Sequence, residues 1–132
     1  MKRTNIYSNT IWEQQFSYAR AVKVGQIIEV SGTTAVEGDQ VLFAGDLYQQ
    51  TMFVFEKIEK ALTQLGASRK DVLRTRMYVT RIALAEEAGR AHGEFFKNID
   101  PVATMVEVSA LMHPDMLIEI EVSAVLSSSE NR

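Results

Sequence analysis

Cysteine is absent from this 132-residue chain, so disulfides, thiolate nucleophiles and zinc sites built on sulfur are excluded. Histidine is nearly absent. The two present, His92 and His113, lie far apart in sequence, so no histidine metal site is expected. No run of about 18 apolar residues occurs, so no membrane-spanning helix and no membrane partner are expected. The opening residues MKRTNIYSNTIW have no apolar stretch of signal-peptide length, which points to a cytoplasmic protein. A net charge of −3 provides no broad basic field, so nucleic acid is not an expected partner. No cofactor is expected.

What remains is ordinary for a globular protein: 46% hydrophobic and 23% charged residues. The length suits one domain over residues 1–132, with a core that needs no staple. Two strands, Ala19–Val24 and Ile27–Thr34, flank Gly25-Gln26. A two-residue link with glycine first predicts a type II′ hairpin. The segment EGDQVLFAGD reads as an edge strand or an ordered loop. Asp46 then opens a helix whose apolar stripe is Leu47, Thr51, Val54, Phe55, Ile58, Ala61, Leu62 and Leu65. Asp46 and Gln49 stand at capping-box positions, and Gly66 is the stop. Ser68 to Asp71 reads as a short capped turn.

A strand follows over Val72–Ile82. A second helix runs from about Leu84 to Phe96, with Leu84, Ala88, Ala91 and Phe95 on one stripe. Gly89 and Gly93 lower its propensity and suggest close packing against a neighbour. Two last strands, VATMVEVSAL and MLIEIEVSAVL, are joined through His113-Pro114-Asp115. The tail SSSENR is polar and is expected to fray. The order predicts an α+β two-layer sandwich: a mixed sheet of five or six strands with two helices on one face.

The other face carries charge. By the two-residue period of a strand, Arg74, Arg76, Tyr78 and Thr80 share it with Glu119, Glu121 and Ser123, and with Met105, Glu107 and Ser109. Such a face is either solvated, with weak cross-strand ion pairs, or buried in an oligomer where the arginines neutralise the glutamates. In the second case Arg74 and Arg76 are the expected partners of Glu107 and Glu121. His92 is expected on a helix surface or at an interface, His113 in a solvated turn, and Trp12 in a core.

In order along the chain, IIEVSGTT, the Asp46-to-Gly66 helix followed by its GAS, LRTRMYVT and MLIEIEVSAV resemble the Rid (reactive intermediate deaminase, YjgF-like) family. The resemblance covers roughly Tyr18 to Val125. It implies a fold similar to chorismate mutase and a homotrimer whose sheets line a central barrel. It also implies a small-molecule ligand in the clefts between subunits. The best-known branch hydrolyses enamines and imines such as 2-aminoacrylate to 2-keto acids and ammonia. Carried over by position, the family's tyrosine falls on Tyr18, its Ser-Gly on Ser31 and Gly32, and its glutamate on Glu119. The resemblance therefore implies Glu119 and Tyr18 as catalytic candidates, since a carboxylate can hold a water and relay a proton.

A backbone amide near Gly32 would orient the substrate. Where the deaminase branch has Pro-Ala-Arg, this chain has Pro101-Val102-Ala103-Thr104. Ala103 takes the place of the arginine that forks onto the substrate carboxylate, and Gly89 takes the place of an asparagine. Ala103, Thr104 and Met105 are expected to line the substrate side with Ser31 and Gly32, and Arg20 is the candidate stand-in cation. Three functions stay open at this point: an imine or enamine hydrolase with an altered substrate, a non-catalytic metabolite-binding trimer, and a ribonuclease or translation inhibitor.

Overall fold

The structure, a computed structural model, describes residues 1–127. A six-stranded sheet has the order β1-β2-β3-β8-β6-β7. Its strands are β1 (Arg3–Ile6), β2 (Ala21–Val24), β3 (Ile27–Thr33), β6 (Val72–Val79), β7 (Val102–Glu107) and β8 (Ile118–Val125). All neighbours run antiparallel except β6 and β7. Between β6 and β7 lies α3 (Ala85–Phe95), the crossover that a parallel pair needs. The mixed sheet of the expected two-layer α+β fold is therefore present, with one more strand at its start than the sequence suggested.

Each element has a local cause. Val24 and Ile27 pair across Gly25-Gln26, and of the two turn residues only Gly25 takes a positive φ (61°), as a type II′ turn requires. EGDQVLFAGD forms neither a sheet edge nor a plain loop. It makes a separate small hairpin of β4 (Val36–Glu37) and β5 (Gln40–Val41). Helix α2 (Leu47–Gln64) starts where Asp46 accepts the Gln49 N–H at 3.0 Å. It ends in a Schellman motif, with Gly66 N–H on Thr63 O and Ala67 N–H on Leu62 O. The full capping box occurs instead at Ser68 and Asp71, in the short turn before β6.

The core lies between one sheet face and α2 with α3. Ile28, Val30, Met77, Val79, Ile118, Ile120 and Val122 meet Val54, Phe55, Ile58, Leu62 and Phe95. Gln50, wholly buried, ties two loops together. Its Nε2 donates to Leu42 O, Phe43 O and Asp115 O, and its Oε1 accepts from Leu117 N.

Four expectations are corrected. A strand (β1) and a short helix, α1 (Ile11–Phe16), precede the first predicted strand. Trp12 is not a core residue. It is 53% exposed and stacks on Phe16 at 5.8 Å. Gly89 and Gly93 do not pack closely within the chain, because a Cβ at either would meet open space. Finally, β7 has the opposite facing. Met77 pairs with Met105, and Val79 with Glu107, so Met105 and Glu107 belong to the helix-covered side. Val102 and Val106 share the open face with Arg76 and Tyr78. Glu107 therefore cannot serve Arg74 or Arg76, and its carboxylate accepts the Ile82 N–H at 2.9 Å. The valine alternation of this segment marks the wrong side because β7 is an edge strand, where no helix enforces burial of its apolar set.

Candidate functional site

Strand β3 contains the irregularity on which the site rests. Val30 pairs with Val122 and Thr33 with Ile120, so Ser31 and Gly32 together stand opposite Glu121. This is a β-bulge, which turns side chains and amides out of the regular ladder. Ser31 anchors it: its N–H donates to Arg20 O at 2.9 Å and its hydroxyl to Ala19 O at 2.7 Å. Gly32 makes it approachable. A Cβ on Gly32 would lie 2.0 Å from Oε2 and 2.9 Å from Cδ of Glu119. Glycine is required here for closeness, since no left-handed φ is involved.

Glu119 projects from β8 onto that glycine and is half-buried. Burial raises its pKa above the ordinary value, Arg20 pulls it back and Glu121 adds to the rise. A half-buried carboxyl with a raised pKa is a candidate for proton transfer. Its cross-strand partner on β6 is Tyr78, whose hydroxyl donates to Glu121 Oε1 at 2.8 Å. Arg76 Nε stands 3.9 Å from the same oxygen, so the expected Arg76–Glu121 pairing is present.

Tyr18, 39% exposed, follows α1 and lines an open cavity of about 1170 Å³ on the charged face. Ser31, Tyr7, Ile11, Arg76 and Glu121 share that lining. Arg20 does not point into this space as a free cation. Its Nη1 donates to Gly32 O at 3.0 Å and to Thr33 Oγ1 at 2.9 Å, and its Nε lies 3.6 Å from Glu13 Oε2. Arg20, Gly32 and Glu119 are thus linked by contact, and Tyr18 shares the cavity with Ser31, the neighbour of Gly32, whereas Gly32, Arg20 and Glu119 are not part of that lining.

Ala103, Thr104 and Met105 are in neither group. They lie on β7, with β8 and β6 between that strand and β3, which is roughly 14 Å of sheet. Ala103 and Thr104 are exposed, whereas Met105 packs against the core. His92 is half-buried, with Nε2 2.9 Å from the hydroxyl of buried Thr75 and its ring against Phe55 and Phe96. Burial lowers its pKa. His113 sits in its exposed turn and accepts the Asp115 N–H.

The sequence reading missed two participants. Glu13 is not singled out by the sequence at all, and Tyr78 is placed there only on the charged face. Among the described residues, no cluster of three or more His, Asp or Glu side chains is arranged to hold a metal ion, and no helix is long and apolar enough to cross a membrane.

The chain is similar to known proteins. A crystal structure of a member of the YjgF/YER057c/UK114 family from Mycobacterium tuberculosis superposes with a TM-score of 0.85 at 42% identity, covering 95% of this chain and 100% of that one. An uncharacterized protein of Streptomyces coelicolor is 35% identical over 119 residues, 90% of this chain and 89% of its own. The 3-aminoacrylate deaminase RutC of Acinetobacter baylyi is 34% identical over 104 residues, 78% of this chain and 82% of its own. Residues 11–126 match the family described as Endoribonuclease L-PSP, and the chain belongs to this family, the YjgF-like or Rid proteins.

Proposed function

We propose that this protein is a homotrimeric hydrolase of an imine, enamine or related small metabolite, acting in clefts completed by a neighbouring subunit. The observation that carries the reading is the half-buried Glu119 carboxylate, its pKa raised, lying against Gly32 beside the cavity lined by Tyr18 and Ser31. In an imine, water adds to the C=N carbon. Glu119 takes a proton from that water and returns it to the nitrogen, and the carbinolamine collapses to a carbonyl and ammonia. An enamine first tautomerises to the imine, gaining a proton at carbon and losing one from nitrogen. Tyr18 lines the site, and a backbone amide at the bulge orients the substrate.

The neighbouring subunit supplies Ala103 and Thr104. Within one chain they stand two strands from Glu119, roughly 10 Å across the sheet, and Ala103 is on the opposite face. The exposed Ile11, Trp12, Phe16, Val102 and Val106 are consistent with surface covered by other copies. The relative named 3-aminoacrylate deaminase supports the reaction class.

With Ala103 in place of the carboxylate-binding arginine, simple α-imino acids are poor substrates, because bidentate capture by arginine is hard to replace. Incubating the protein with imines and enamines that do and do not carry an α-carboxylate, while following ammonia release, tests this. Fast turnover of simple α-imino acids would overturn the substrate assignment.

A second reading is a trimer that binds a metabolite without turning it over. It is favoured by the hydrogen bonds that commit Ser31 and Arg20 to backbone and side-chain oxygens of the chain itself. It predicts thermal stabilisation by a ligand with no product. Ribonuclease action, which the family's description names, has less support: the chain is acidic and carries two histidines far apart in sequence.

A further inference from the structure

Helix α1 is turned inside out. Its apolar residues Ile11, Trp12 and Phe16 face outward at 68%, 53% and 63% exposure, and its one buried residue is Glu13, at 4%. Such burial of a carboxylate calls for donors and a cation. Ser8 provides two donors, its N–H at 2.9 Å and its hydroxyl. The cation is Arg20, whose Nε lies 3.6 Å away and has no hydrogen-bond partner of its own among the described residues. The other side of the guanidinium grips the bulge through Gly32 O and Thr33 Oγ1. Gly32 is the residue on which the Glu119 carboxylate rests. A continuous chain of contacts therefore runs from α1 through Glu13, Arg20 and Gly32 to Glu119.

We infer that Glu13 and Arg20 are paired positioning residues for the Glu119 site: Arg20 fixes the Ser31–Gly32 bulge beneath that carboxylate and provides the positive charge facing it, and Glu13 holds Arg20 in place. Arg20 is then not the cation that receives a substrate carboxylate in place of the missing arginine, which removes the stand-in that the sequence offered. This deepens the proposed function, since it rests on Glu119 being the working group.

The charged and titratable groups around Glu119 are Arg20, Glu121 on its own strand and Tyr78 on β6. Behind Arg20 stands Lys57 of α2. Its ammonium donates to Thr34 O and Val36 O and so grips the same segment two residues further on. Lys57 remains in place in every variant below, so changes can be assigned to the Glu13–Arg20 pair.

The test is an NMR titration of the Glu119 side-chain carboxyl, assigned by its loss in Glu119→Gln, in the intact protein and in three variants. Arg20→Met removes the charge and is expected to move the Glu119 midpoint up by about one pH unit. Glu13→Gln frees Arg20 from its anchor and is expected to move the midpoint up as well, by less than Arg20→Met, whereas loss of the Glu13 charge alone would move it down. Arg20→Lys keeps the charge without the fork, so the midpoint is expected to stay near the parent value while the Gly32 and Thr33 amide signals move.

A rise in both Arg20→Met and Glu13→Gln is a signature that two independent charges would not produce, because loss of the Glu13 charge alone lowers the midpoint. The inference is overturned if Glu13→Gln lowers the Glu119 midpoint or leaves it unchanged, or if Arg20→Met does not raise it. If Arg20→Met does not fold, the conservative Arg20→Lys and Glu13→Gln carry the decision by the same criteria. The underlying reading fails separately: full activity in Glu119→Gln would remove the catalytic role yet leave these titration shifts intact.

Discussion

Glu119 and Gly32, on adjacent strands, are in contact so close that no other residue type fits at 32 without moving the carboxylate: a Cβ would lie 2.0 Å from Oε2. The nearest obstruction is the far end of a flexible side chain, so Gly32→Ala displaces the carboxylate more readily than it strains the fold. Stability is expected to change by under about 1 kcal/mol in chemical denaturation. Turnover is expected to fall by about tenfold or more, because a misplaced proton-transfer group loses its geometry. A large loss of stability with normal turnover would contradict this.

The pH dependence of stability has a definite sign at Glu119. Its folded-state pKa is raised by burial, so the neutral form is favoured on folding. Its contribution is fully present below the ordinary carboxylate value of 4.5 and is lost as pH rises through the folded value. Glu119→Gln, permanently neutral, is therefore expected to match the parent at low pH and to exceed it at neutral pH. The gain is under about 1 kcal/mol once solvent screening of a half-exposed group is allowed for. Denaturant midpoints at several pH values check it.

His92 tilts the curve the other way. Burial lowers its pKa from 6.5, so its contribution is present above that value and is lost as pH falls through the folded value. His92→Gln is expected to flatten the acid limb of the stability curve while costing stability at neutral pH through lost packing on Phe55 and Phe96.

The facing of β7 yields a test by coupling energies. A double-mutant cycle between Arg74 and Glu107 is expected to give zero, since these residues occupy opposite faces. A cycle between Arg76 and Glu121 is expected to give a few tenths of a kcal/mol, typical of an exposed pair. Glu107→Ala alone is expected to cost about 1 kcal/mol by removing the acceptor for the Ile82 N–H.

How far the sequence carries depends on which force shapes each element. Helix α2 was legible almost to the residue because one stripe meets the sheet along its whole length and glycine ends it. The facing of β6 and β8 was legible for the same reason: helices bury one side. Where burial does not discriminate, the alternation misled. On the edge strand β7 it placed Val106 inside and Glu107 outside. In α1, six residues long, it gave Trp12 to the core and overlooked Glu13, the one residue that is buried. The family resemblance supplied Gly32 and Glu119 as separate positions. Their contact, across 87 residues of sequence, follows from the bulge that sets Ser31 and Gly32 opposite Glu121, and a bulge leaves little mark on spacing.

The most direct test of the account is the rate of ammonia release from an enamine or imine substrate by the parent protein and by Glu119→Gln, measured at equal folded concentration. The account predicts clear acceleration by the parent and a loss of about 100-fold or more in the variant, the scale of removing a general base. Equal rates in the two proteins would contradict it.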